Sequence, residues 1–157
     1  MPLFNLADLL AELAPGARLL GIDPGARRIG LALSDVNRRL ASPYGVIPRA
    51  KLKRNAADIS LIAAKEGVGG LVVGMPLDED QKFGPAAQAA RDWTHAMSAA
   101  TGLPAAMQDE SLTTADAHEM LIGADVSRAR RHELIDKVAA AAILQAALDA
   151  AQKNGGG

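Results

Sequence analysis

The sequence predicts an α/β fold, a mixed five-stranded sheet with helices on both faces in the order β-β-β-α-β-α-β-α-α. Three observations carry this expectation. Residues 18–23, 29–34 and 42–48 are apolar runs separated only by short polar or glycine-containing turns, a spacing that joins antiparallel neighbours. Residues 70–74 and 103–108 are further short apolar runs, each preceded by a segment of helical periodicity, so crossovers reach them and they lie parallel to strand one. The last predicted helix, 133–151, is rich in alanine, and small side chains let a helix approach a sheet closely.

The remaining elements follow from local signals. Residues 3–13 have apolar residues at helical spacing and stop at Pro15-Gly16, predicting a short amphipathic helix appended to the domain. Residues 51–66 place Ala57, Ile59, Ile62 and Ala63 at helical spacing before the glycines at 67, 69 and 70. A helix is predicted over 85–100. Another is predicted over 113–122, where Thr113-Thr114-Ala115-Asp116 matches a capping box and Gly123 ends the run. The tail from Asn154 to Gly157 reads as flexible.

The chain of 157 residues is long enough for one domain, 1–157, with an N-terminal helical extension over 1–16 and a flexible tail over 153–157. It has no cysteine, which excludes disulfides, thiolate zinc sites and a cysteine nucleophile. No apolar run reaches transmembrane length. Residues 1–13 carry Asp8 and Glu12 without a basic leader, so the expected location is the cytoplasm, with no membrane partner.

A net charge of −1 provides no global basic field. Basic residues nevertheless gather at Arg27-Arg28, Arg38-Arg39, Arg49 with Lys51, Lys53 and Arg54, and Arg128 with Arg130, Arg131 and His132. Acids gather at Asp78 to Asp80 and at Asp109-Glu110. Each cluster alone is accounted for as a solvated face. Only a shared face would make the basic ones a binding track.

Asp23 is the most informative residue. It ends an apolar run and is followed by the turn signal Pro24-Gly25, so it sits at the mouth of a hairpin, where a carboxylate is costly unless a cation or dense hydrogen bonding compensates it. With strand one central and strands four and five parallel to it, the carboxyl ends share an edge. Asp23, the loop after Gly74, and Asp109-Glu110 meet there, and Asp136 at the start of the last helix faces the same edge. Oxygen ligands from three separate elements suit Mg²⁺ or Mn²⁺ and phosphoryl-transfer chemistry. Each also has a plainer account: a turn residue, a polar loop, and an acid complementing a helix dipole.

Four motifs in order resemble those of the YqgF (RuvX) family, proposed pre-16S rRNA nucleases related to the RuvC Holliday-junction resolvase and of ribonuclease H-like fold. They are Gly21-Ile22-Asp23-Pro24-Gly25 with Arg28-Ile29-Gly30-Leu31-Ala32; Val72-Val73-Gly74-Met75-Pro76-Leu77; Asp109-Glu110-Ser111-Leu112-Thr113-Thr114; and 127–143 around Ile135-Asp136 and Ala139-Ala140-Ala141. The resemblance covers 19–148. It implies that Asp23, Glu110 and Asp136 are the catalytic, Mg²⁺- or Mn²⁺-binding triad of an endonuclease acting on precursor 16S rRNA. Gly74, Pro76 and the Thr113-Thr114 cap would shape that site.

Two departures stand out: Ser111 occupies a position where the family usually has arginine, and Asp78-Glu79-Asp80-Gln81 is acidic where the family loop is asparagine-containing and glycine-rich. The expected nucleic-acid contacts are Arg28, Arg128, Arg130 and Arg131, the last three in a loop before the final helix. The substrate is structured RNA, with branched DNA as the alternative, and the chain acts as a monomer or weak homodimer. Two further readings compete with the nuclease: a non-catalytic nucleic-acid-binding module, and a phosphate-binding ATPase lobe, which also places Asp-x-Gly after strand one but needs a second domain.

Overall fold

A computed structural model describes residues 3–76, 84–109 and 128–155. The strands are β1 (Arg18–Pro24), β2 (Arg28–Ser34), β3 (Ala41–Pro48), β4 (Val68–Met75) and β5 (Ala105–Asp109), and the helices are α1 (Leu6–Glu12), α2 (Leu52–Glu66), α3 (Pro85–Thr101) and α4 (Arg128–Gly155). The predicted helix over 113–122, Glu110, Ser111 and the acidic loop at 78–81 lie outside the described residues.

The sheet order is β3-β2-β1-β4-β5. β1 pairs antiparallel with β2 and parallel with β4, and β5 continues the parallel side, so β1 is central as its sequence context predicts. The short turns make the antiparallel half and the helical crossovers the parallel half. Tight turning after β1 depends on Gly25: a Cβ there would lie 2.5 Å from the Arg28 carbonyl oxygen.

Strand alternation divides the core in two. Leu20, Ile22, Leu31, Leu71 and Val73 face α2 and α3, meeting Ile59 and Met97. Leu19, Ala32, Val72 and Ala106 face α4, meeting Ala140, Ile143, Leu144 and Leu148. β1 and β4 are buried on both faces and read as near-continuous apolar runs, the pattern of central strands covered on two sides. Close approach of α4 needs small residues on both sides: a Cβ at Gly21 would lie 2.7 Å from the Leu144 Cβ and 3.1 Å from the Ala140 carbonyl oxygen.

Two expectations are corrected. The N-terminal helix is no appendage: Leu9 is fully buried in the α4-side core, and the Phe4 N–H donates to the Ala105 carbonyl at 2.9 Å, extending the sheet past its β5 edge. Covering an edge strand removes its unpaired backbone groups from open display. The segment before the last helix is not a loop, because α4 begins at Arg128; no glycine or proline occurs between 124 and 154, so nothing halts the helix there. α4 runs as far as Gly155, and residues 156 and 157 of the predicted flexible tail lie outside the described residues.

Candidate nuclease site at the carboxyl edge

Asp23, the sixth residue of β1, pairs in register with Gly30 of β2. Residues two apart on a strand share a face, so Asp23 lies on the α4 side with Leu19 and Gly21. Gly30 is where α4 comes down on the sheet. A Cβ at Gly30 would overlap the Asp136 carbonyl, and it would stand 3.3 Å from the Lys137 nitrogen. The Asp136 backbone therefore rests on the strand position next to Asp23. Two carboxylates far apart in sequence occupy one end of one sheet face because residue 30 has no side chain.

Asp136 lies about two turns inside α4 and not in its first turn. Helix-dipole stabilisation fades within the first turn, so it does not explain an acid here. What accompanies the carboxylate is Arg28: its Nε donates to Asp136 Oδ2 at 2.6 Å in a partly buried ion pair. Arg28, expected as a nucleic-acid contact, is thus engaged first with a site carboxylate.

β4 and β5 bring the third region to the same edge. Met75 pairs with Asp109, and Ile22 with Val73, so Asp109 ends its strand two residue positions beyond the level of Ile22. By alternation Asp109 lies with Ala105 on the α2–α3 face, across the sheet from Asp23. Among the described residues no group of three histidine or acidic side chains is gathered closely enough to hold an ion, and Glu110 is not one of them. The carboxylates at this edge are oxygen donors on rigid elements, which fits a hard divalent cation.

The basic clusters divide by position. Arg38 donates through Nη1 to the Ala17 carbonyl at 2.7 Å, at the opposite end of β1 from Asp23. Arg27, Arg28 and Lys137 instead line one cleft of about 290 Å³ with Gly45, Val46 and Pro48. Lys137 escaped the sequence reading because it is a single cation in an alanine-rich helix; only packing joins it to Arg27 and Arg28. Arg128, Arg130 and Arg131 fall in the opening turns of α4.

The strand order and the helices on both faces define a ribonuclease H-like α/β domain with carboxylates at the carboxyl edge of its central strand. RuvC of T. thermophilus, solved in complex with a Holliday junction substrate, shares this fold: the TM-score is 0.51 at 17% identity, covering 85% of this chain and 94% of that one. Residues 17–150 match the RuvX family, described as Holliday junction resolvase. A relative from Gluconacetobacter diazotrophicus is 58% identical over 151 residues, 96% of this chain and 98% of its own. Another from Acidiphilium cryptum is 56% identical over 149 residues, 95% and 94% of the two chains. Both are named as candidate pre-16S rRNA nucleases. The chain belongs to the RuvX family.

Proposed function

We propose that this protein is an endonuclease that hydrolyses phosphodiester bonds in precursor 16S rRNA, dependent on Mg²⁺ or Mn²⁺ held by Asp23, Glu110 and Asp136. The observation that carries the reading is the seating of Asp136 on Gly30 beside Asp23, which places two oxygen donors at the carboxyl edge of a ribonuclease H-like sheet. Glu110 follows in sequence directly on Asp109, the last residue of β5, which runs parallel to β1 on the far side of β4. The names of the relatives point to RNA, and the family description makes a four-way DNA junction the second reading.

When bound, the divalent ion supplies a Lewis acid for the phosphodiester and a more acidic water. The chain's residues do the rest. β1 fixes Asp23 on a strand buried on both faces, and the Arg28 guanidinium holds the Asp136 carboxylate in one orientation, as preorganised ligands require. Arg27 and Lys137, in the cleft beside Asp136, offer cations to the phosphate backbone. Arg128, Arg130 and Arg131 extend that contact from the start of α4. The proposed location is the cytoplasm and the proposed state a monomer or weak homodimer; among the described residues no helix is long and apolar enough to cross a membrane.

The test is incubation of the full chain with precursor 16S rRNA and with a four-way DNA junction, with and without Mn²⁺, beside Glu110→Gln. Metal-dependent cutting of the RNA by the wild type only is the expected result. Cutting of the junction in its place establishes the resolvase, and binding without cleavage of either substrate establishes the non-catalytic module.

A further inference from the structure

A second feature of the carboxyl edge lies across the sheet from Asp136. Pro24, which directly follows Asp23, and Pro76, which follows β4, form one wall of a cavity of about 470 Å³ whose other side is α3, with Ala89, Ala90 and Trp93. Arg49 enters from the β3 end, its guanidinium carbon 5.4 Å from the centre of the Trp93 ring. It is held there by the turn that follows Asp23. Its Nη1 donates to the Gly25 carbonyl at 3.1 Å and to that of Pro24 at 3.4 Å, and its backbone N–H donates to the Arg27 carbonyl at 2.9 Å.

The chemistry of this pocket is specific. Apart from Arg49 and Trp93, the described residues that line it are prolines and alanines. Among the described residues that line it, Arg49 is the single charged one, already placed over an aromatic ring and tethered to two carbonyls. A phosphate group calls for several converging donors, and among the described residues only Arg49 brings a cation to this pocket. A flat, neutral, hydrogen-bonding ring suits it, because bases stack both on aromatic side chains and on guanidinium planes. Trp93 is the chain's only tryptophan, and only 3% of its residues are aromatic, so an indole at this edge is not one of many.

We propose that this pocket takes one unpaired nucleobase of the substrate strand, stacked with Arg49 and Trp93, next to the phosphodiester held at Asp23. The proposal rests on the nucleic-acid substrate argued above and deepens it, since a base can enter only where the strand is unpaired. Recognition at this point reads structure, an unpaired nucleotide beside the cut, with stacking that tolerates any of the four bases.

Trp93 is its own reporter. Titrating the full chain in EDTA with a 12-nucleotide single-stranded RNA, its DNA counterpart and a fully paired RNA duplex should give saturable quenching of the indole by both single strands and none by the duplex. Arg49→Ala and Trp93→Ala should each weaken single-strand binding about 5- to 150-fold, the range that stacking of one base is worth. Trp93→Phe, which keeps an aromatic face and the packing, should recover most of that loss. Single-strand binding with unchanged indole emission, equal quenching by the duplex, or unaltered affinity in Arg49→Ala and Trp93→Ala would each overturn the base pocket while leaving the nuclease reading standing. A wild type that binds none of the three probes and cuts no substrate overturns both.

Discussion

Arg28 Nε donates to Asp136 Oδ2 at 2.6 Å, tying the first residue of β2 to the interior of a helix 108 residues further along the chain. Both side chains are partly exposed, so the pair adds little to stability, on the order of 0–1 kcal/mol. Its consequence is positional. The carboxylate is held at the sheet edge, and a cation already stands where a divalent ion would draw on the same oxygens.

Arg28→Gln should therefore separate orientation from charge. Without the guanidinium the site loses a competing positive charge, so Mg²⁺ measured by calorimetry should bind several-fold more tightly. Cleavage at saturating metal should fall, because Asp136 is no longer held in one orientation. The melting temperature should shift by no more than a few degrees. Unchanged metal affinity together with unchanged turnover removes Arg28 from the site.

Asp23→Asn should fold normally and cut nothing. Replacing one acid in a carboxylate cluster relieves repulsion, so in metal-free buffer the variant should melt no lower than the wild type. Adding Mg²⁺ at ten times its dissociation constant should stabilise the wild type by about 1.4 kcal/mol through preferential binding to the native state, and the variant by much less. Equal stabilisation of the two by Mg²⁺ places the ion elsewhere.

Gly30→Ala tests the seating of α4. A methyl group there meets the Asp136 carbonyl, and the helix must move away, at a cost of about 1–3 kcal/mol as for other overpacked sites. The urea midpoint should fall accordingly, and cleavage should fall with it because Asp136 moves. Gly45→Ala, where an added Cβ has nothing within 4 Å, is the control and should stay within about 0.5 kcal/mol of wild type.

Replacing Arg128, Arg130 and Arg131 together by alanine should weaken binding to RNA of any sequence and reduce the salt dependence by up to about three phosphate contacts. Stability should be preserved, because cations in the opening turns of a helix oppose its dipole and alanine is the better helix former. An identical salt slope in the triple variant assigns these arginines to solvent.

Much of the fold was legible because its signals are local. Short turns in 18–48 fix an antiparallel meander, and helical periodicity between the later strands fixes parallel crossovers, whatever the rest of the chain does. The position of Asp23 at the carboxyl end of β1 was legible for the same reason: an acid ending an apolar strand is anomalous in its own neighbourhood. The start of α4 was misplaced because a cluster of arginines resembles a solvated loop, whereas helix propagation depends on the absence of a stop. The N-terminal helix was misjudged because its apolar spacing shows that a face exists and not what that face covers.

By itself, the sequence determined the order of elements, the central place of β1 and the types of side chain available at its carboxyl end, all set by periodicity, turn chemistry and composition within a few residues. Tertiary structure decided which of them meet. Gly30 carries its meaning only once α4 lies on it, Lys137 joins Arg27 and Arg28 only across a cleft, and Arg49 finds Trp93 only because β3 and α3 flank the same loop. These are contacts between residues far apart in the chain, set by close packing of a helix or strand against its neighbours, and no local pattern encodes them.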